Sequence, residues 1–461
     1  MSYIGSTPTT QSFIAGTDYF NGDGTTTAFT LSRKVVSVND VEAVINNVVQ
    51  QPNTAYTVSG NTITFTSAPS AGTANIYVRY LSTTTQSITP SQNTVSYSTL
   101  NSDNQSKLGI SFKNRIINGA MAIDQRNAGA SSGANVGAAN TYTLDRWAYY
   151  STPASKFTVQ QNAGSVTPPV GFTNYLGVTS SSAYTPASTD IIVLDHQIEG
   201  YNTADLGYGT VNAKTCTLSF WVYSSLTGTF GGTVQNSAQT RAYGFTYTIS
   251  AANTWTFVSI TIPGDTSGTW LTTNGRGIGL NFNLGNGSSW NTTAGSWQTG
   301  AYFGVTGTVN VVSTNGATFY ITGVQLEVGT QATTFDYRSY GTELALCQRY
   351  FETNFPVGIA PANNVVVGND RMAGVSYNTG AIGLMQSFAT PKRATPTITG
   401  YASTNGYSSG SFWARYAGTW VQGTAQGFTG TTYGFIVDLS VTSAALSSYI
   451  VAGLWTASAE L

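Results

Sequence analysis

Cys216-Thr-Leu-Ser-Phe-Trp-Val-Tyr223 is the stretch on which the fold turns. It is apolar and rich in aromatic and β-branched side chains, which suit the pleated, half-buried surface of a sheet. Runs of the same kind follow at Tyr243 to Ile249, Trp255 to Ile262, Gly279 to Leu284 and Thr318 to Leu326. Between them lie Gly-, Asn- and Ser-rich loops such as Gly285-Asn-Gly-Ser-Ser-Trp290. Long strands alternating with turn-forming loops from about 110 to 338 predict a jelly-roll-like two-sheet central domain. Cys216 lies inside an apolar run, so it reads as a buried free thiol.

Composition extends the reading to the whole chain of 461 residues. Charged residues make up only 8%, against roughly 25% in ordinary soluble domains. The polar surface must therefore come from Thr, Ser, Asn, Gln and Gly, and helix formers such as Glu, Lys and Met are scarce. With 50 Gly and 27 Tyr, an all-β fold follows. A net charge of −1 argues against nucleic acid as a partner, because phosphate neutralisation needs a basic surface. No apolar run reaches the ~18 residues that span a bilayer, so membrane insertion is not expected, nor is a signal peptide seen. The two cysteines, Cys216 and Cys347, form no disulfide framework, which fits folding in a reducing cytoplasm. There is no repeat of fixed period, which disfavours a β-helix or a propeller.

Outward from the central domain, residues 1–81 read as a small β domain with hairpin turns at Asn46-Asn47 and Ser59-Gly60-Asn61. Residues 82–109 shift to Ser, Thr, Gln and Asn and read as an extended connector. Leu344, Cys347 and Phe351 recur at helical spacing, predicting a short bracket helix over 339–352. Strands return over 353–461, predicted as a C-terminal β-sandwich that ends with Tyr449, Val451 and Trp455 on one side.

Motifs for chemistry are sparse. The sole histidine, His196, has no metal-ligating companions, so a structural role is expected, and no metal or cofactor is implied. Asn21-Gly-Asp-Gly24 lacks the downstream Glu of a calcium loop and reads as a tight turn. Gly275-Arg-Gly-Ile-Gly279 lacks a following helix and is no phosphate cradle. Asp190, Asp195 and Glu199 come nearest to a carboxylate cluster for a glycosidase, but catalysis is not expected. The loops carry aromatics instead. Trp270, Trp290 and Trp297 in the central domain, and Tyr407, Trp413 and Trp420 near the C-terminus, are the candidate binding residues. An aromatic face flanked by amides and hydroxyls suits a sugar ring; the competing reading places these rings in the core at strand ends.

Several segments together resemble a bacteriophage tail fibre protein. Asn21-Gly-Asp-Gly-Thr-Thr-Thr-Ala-Phe-Thr-Leu31 and Tyr56-Thr-Val-Ser-Gly-Asn-Thr-Ile-Thr-Phe65 are similar to the N-terminal module of short-tailed phage fibres. Asn114-Arg-Ile-Ile-Asn-Gly-Ala-Met-Ala-Ile-Asp-Gln-Arg-Asn127, Tyr142-Thr-Leu-Asp-Arg-Trp147 and Phe319-Tyr-Ile-Thr-Gly-Val-Gln-Leu-Glu-Val-Gly329 resemble a jelly-roll module like carbohydrate-binding modules. Glu343-Leu-Ala-Leu-Cys-Gln-Arg-Tyr-Phe351, Lys392-Arg-Ala-Thr-Pro-Thr397 and Ala457-Ser-Ala-Glu-Leu461 are similar to that family's distal region. The resemblance implies a modular, elongated homotrimer, made in the host cytoplasm and located in the virion. It implies attachment to tail or adaptor proteins through residues 1–81, and binding of a host surface glycan or protein by the distal domains. Asp124 with Arg126, and Asp145 with Arg146, are expected as ion pairs or turn-fixing residues. The alternatives are a structural tail or adaptor component, or a tailspike polysaccharide depolymerase.

Overall fold

The computed structural model describes residues 16–81, 113–133, 141–365, 371–402, 411–416, 419–441 and 448–461. The chain divides into two compact units, Met1–Gln105 and Ser106–Leu461. The connector expected over 82–109 lies outside the described residues.

In the first unit an antiparallel sheet runs in the order Thr17–Gly22, Gly72–Tyr80, Val41–Ile45, Val48–Val49. A second pair, Ala28–Val35 with Tyr56–Phe65, shares one core with it through Leu31, Ile63, Ile76 and Val78. Asn46 and Asn47 adopt φ of 49° and 62°, the left-handed pair that a two-residue hairpin requires. Ser59-Gly60-Asn61 is not a hairpin turn. Tyr56–Phe65 runs through it as one strand, with Gly60 at φ 62° and an irregular register opposite Val35. Buried positions change parity there, from Tyr56 to Ile63 and Phe65, as a bulge demands. Asp23 accepts hydrogen bonds from Thr25 N and Thr26 N at 2.7 and 2.6 Å, which makes Asn21–Gly24 a turn.

In the second unit two antiparallel sheets face each other. The six-stranded sheet is ordered Thr256–Ile262, Cys216–Ser224, Thr318–Val328, Leu176–Ser180, Phe157–Gln161, Ser132–Gly133. The seven-stranded sheet is ordered Trp297–Thr299, Arg241–Ile249, Gly228–Asn236, Arg276–Asn283, Ile192–Glu199, Trp147–Ser151, Thr141–Leu144. Along the opening stretch, Cys216, Leu218, Phe220 and Val222 enter the shared core. Phe220 meets Phe282 and Tyr247 of the opposite sheet edge-on at 5.2 and 5.1 Å.

The bracket helix is shorter than expected. It spans Tyr340–Gln348, with Ser339 accepting from Thr342 N, and Phe351 begins the strand Phe351–Thr353 instead. The C-terminal strands form a closed barrel rather than a sandwich: Arg371–Asn378, Ala381–Ser387, Gly434–Ser440, Thr419–Gly430, Ser411–Tyr416, Ser448–Ala452. Closure follows because Ser448–Ala452 pairs with both Arg371–Asn378 and Ser411–Tyr416, which leaves no edge. The terminal strand breaks at Gly453, where a Cβ would lie 1.5 Å from the Phe412 ring. Beyond it Leu454–Ser458 joins a three-stranded sheet with Phe351–Thr353 and Thr397–Tyr401.

The sandwich, the helix exit and the segment after Leu454–Ser458 meet at a buried charge cluster. Glu460 pairs with Arg126 at 2.6 Å and with Arg146. Arg146 is 1% exposed, lies over the Tyr350 ring at 3.7 Å and donates to Gln197 O. Arg349 forms a bidentate pair with Glu199 at 2.8 and 2.6 Å, and Tyr350 Oη donates to the same carboxylate. The expected partnerships are thus revised. Asp124 does fix a turn, accepting from Arg126 N, Asn127 N and Gly129 N, but the Arg126 guanidinium goes to Glu460. Asp145 accepts from Gln125 N and Nε2, and Arg146 also goes to Glu460. Breaking a buried pair strands the remaining charges, at a cost of about 3–5 kcal/mol. Glu460→Ala should lower the stability of the second unit by that order, read as a shifted urea midpoint in tryptophan fluorescence.

Candidate functional site

The site grows from the alternation of the Ile192–Glu199 strand. Ile192, Leu194 and Ile198 enter the core, so Val193, Asp195 and Gln197 face the other side of the sheet. On the neighbouring strand Ile278, Leu280 and Phe282 are core, and Gly279, Asn281 and Asn283 alternate with them. The register lines up Asp195, Asn281 and Thr233 in one row and Gln197, Gly279 and Gln235 in the next. This outward face is a lattice of amides, hydroxyls and one carboxylate.

The lattice is covered in part by the chain between Leu284 and Thr308, which is anchored to it. Asn283 accepts from Gly285 N and Asn286 N at 2.9 and 2.8 Å and donates to Thr308 Oγ1 at 2.9 Å. Gln235 donates to Tyr302 O. Trp290 Nε1 donates to Thr189 O at 2.8 Å, and its ring meets Phe303 edge-on at 5.7 Å. Phe303 lies nearly parallel to Tyr150, 9° between planes with centroids 6.5 Å apart. Tyr150, Phe303 and Trp290 therefore wall a cavity of about 610 Å³, whose polar lining includes Asp195, Arg276 and Asn281. That volume falls within the range of small-ligand sites, roughly 300–1,000 Å³.

Arg276 reaches the floor by folding back along its own strand. Its guanidinium occupies the space above Gly279, where an added Cβ would lie 2.1 Å from Nη2. Nη2 donates to Gln235 Oε1 at 2.9 Å, and Nε has no hydrogen-bond partner among the described residues. Burial lowers its pKa, opposed by Asp195. Asp195 is 3% exposed and accepts from Gln197 Nε2 at 3.0 Å. Burial raises its pKa, opposed by Arg276. The two opposite charges thus share one floor and steady each other.

Of the six aromatics singled out from sequence, Trp290 is the one that lines this cavity. Trp270 and Trp297 sit together elsewhere. Trp270 meets Tyr208 at 4.8 Å and Trp297 at 5.4 Å, both edge-on, and the two indoles donate to Ser267 O and Pro263 O. Both rings pack against the sandwich core. Trp413 and Trp420 belong to the paired barrel strands Ser411–Tyr416 and Thr419–Gly430, and Tyr407 lies outside the described residues. The three acidic residues weighed as a cluster have separate surroundings. Asp190 accepts from Tyr184 Oη and Ala187 N, both at 2.7 Å; Asp195 floors the cavity; Glu199 holds Arg349 and Tyr350. Tyr150, Phe303, Arg276 and Asn281 were missed. Their signal was polar alternation within strands buried on both faces, with a glycine where the arginine crosses.

His196 faces the core. Its Nε2 is 3.0 Å from Ile117 O, and Trp147 meets its ring edge-on at 4.8 Å. Burial, aided by Arg146, lowers its pKa to about 3.

No protein-family model matches the sequence, and no curated protein matches it. Among solved structures, the enzymatically active domain of tailspike protein 4 from bacteriophage CBA120 is similar at 15% identity and TM-score 0.27. That match covers 48% of this chain and 22% of the tailspike chain, so this chain spans about a fifth of it. A family 4 carbohydrate-binding module is similar at 14% identity and TM-score 0.23, covering 46% of this chain and 99% of that one. A putative sugar binding protein from Bacteroides thetaiotaomicron is similar at 13% identity and TM-score 0.25, covering 47% and 100%.

The His196 environment yields a pH dependence. The folded pKa of about 3 lies below the 6.5 of an ordinary imidazole. The unfolded chain therefore takes up the proton first, and this residue's contribution is lost as pH falls from 6.5 toward 3. Asp145, pushed up to about 6 by burial, acts in the opposite sense as pH falls below that value. By pH 5 the loss from this histidine amounts to about 2 kcal/mol. Comparing unfolding free energies of the wild type and His196→Gln at pH 7 and 5 should show the wild type losing about 2 kcal/mol relative to the variant at the lower pH.

Proposed function

We propose that this chain is a receptor-binding bacteriophage tail fibre that takes a host surface glycan in the cavity on the seven-stranded sheet. The observation carrying this reading is the cavity itself, with aromatic walls at Tyr150, Phe303 and Trp290 and a polar floor at Asp195, Arg276 and Asn281. Apolar ring faces match the C–H faces of a pyranose, and fixed amides and charges match its hydroxyls.

The virion assignment rests on the ordered sequence motifs. In this reading residues 1–81 dock to the tail or its adaptors and the chain acts as a homotrimer. Three sites on one particle would raise the effective affinity of a weak glycan contact through avidity. The fibre binds without cleaving: two carboxylates are needed for ordinary glycoside hydrolysis, and Asp195 is the carboxylate among the described lining residues.

Purified full-length protein should compete with phage for adsorption to the host strain, and light scattering should give three chains per particle. Tyr150→Ala/Trp290→Ala should keep its circular dichroism and lose most of the competition. Equal competition by this double variant would remove the cavity from the adsorption step. Release of reducing ends from host polysaccharide would turn the reading toward a depolymerase.

A further inference from the structure

Resting on the glycan reading, we infer that the cavity selects a neutral, hydroxyl-rich sugar unit, with Asp195 as acceptor and Arg276 as donor to neighbouring hydroxyls.

The balance of the floor argues for this. Among the described lining residues Arg276 carries the positive side chain and Asp195 the negative one. They come from adjacent strands: Asp195 pairs in register with Asn281, and Arg276 starts the strand of Asn281 and lays its guanidinium over the outward-facing Gly279. An anionic ligand group drawn to Arg276 would have to approach Asp195. A cationic group drawn to Asp195 would have to approach Arg276. In a partly buried site such like-charge approaches are costly, because screening is weak. A sugar diol avoids both conflicts, since each hydroxyl donates and accepts. One hydroxyl can donate to the carboxylate while its neighbour accepts from the guanidinium, giving two charge-assisted hydrogen bonds without adding charge.

The donor is placed for that purpose. The hydrogen bond from Nη2 to Gln235 Oε1 orients the guanidinium, and Nε has no hydrogen-bond partner among the described residues. Gly279 leaves the space this side chain crosses, so the arginine depends on a neighbour that has no side chain. The Tyr150–Phe303 wall stands beside the floor and offers apolar contact to the ring of the same sugar unit.

The test uses full-length protein and isothermal titration calorimetry with two probe sets. One set holds neutral gluco-, galacto- and manno-oligosaccharides; the other holds oligosaccharides containing uronic acid or unsubstituted amino sugar. The wild type should bind at least one neutral probe in preference to every charged one. Arg276→Met and Asp195→Asn should each weaken that binding by about tenfold or more, as expected when a buried polar partner is left unmatched. Asp195→Asn should also gain affinity for the uronate probes. Gly279→Val keeps both charges but displaces the arginine, and it should match Arg276→Met while retaining its circular dichroism. A uronate or amino-sugar preference in the wild type would overturn the inference and leave glycan binding standing, as would neutral binding untouched by these variants. Absence of binding to every probe would overturn both.

Discussion

The buried pairing of Glu460 with Arg126 and Arg146 is the constraint on which the second unit depends. Desolvating three charges is expensive, so such a cluster persists only where geometry and additional hydrogen bonds compensate. Here they do. Arg146 lies over Tyr350 and donates to Gln197 O, while Arg126 lies over Phe351 at 3.8 Å. Arg393 donates to Ala459 O at 2.5 Å and to Glu460 O, holding the backbone of the same segment. A residue near one end of the sequence thereby fixes the Asp124–Arg126 turn, the Trp147 strand, the helix exit and the floor strand of the cavity.

Segments far apart in sequence, Asn114–Asn127, Tyr142–Trp147 and Phe319–Gly329, are joined by the same kind of buried polar contact. Asn114 accepts from Ile116 N and Leu326 N and donates to Val324 O, joining the first motif to the last strand of the sandwich. Asn118 donates to Ile123 O and Asp145 O, and its own carbonyl accepts from Trp147 Nε1. Lys392, buried, donates to Glu352 at 2.5 Å and Gln348 O at 2.6 Å. Each is a polar group removed from water and fully engaged by backbone or by an opposite charge, which is architecture rather than ligand contact.

The all-β class was legible because it rests on composition and on long aromatic runs such as Cys216–Tyr223, which no helix period fits. Hairpin chemistry was legible at Asn46-Asn47, where both residues tolerate left-handed backbone. At Ser59-Gly60-Asn61 the same kind of signal meant a bulge, because a glycine at positive φ serves either purpose and only the strand partner decides. The barrel was not legible. Sandwich and barrel share the same alternation, and closure depends on which distant strands pair. The cavity was half legible. Trp290 stood out as a loop aromatic, but Tyr150 and Phe303 look like core residues until the face they occupy is known.

The scarcity of charge then acquires a structural meaning. Four of the nine ion pairs described in the second unit lie at seams between elements: Glu460 with its two arginines, Glu199 with Arg349, Glu352 with Lys392. Asp195 and Arg276 differ from these. Both line the cavity, beside its aromatic rings, and each offsets part of the other's burial. Gln197 and Gln235 hold them in place. An amide is the suitable holder: it satisfies one lone pair or one N–H and adds no charge that would bias the cavity toward an ionic ligand.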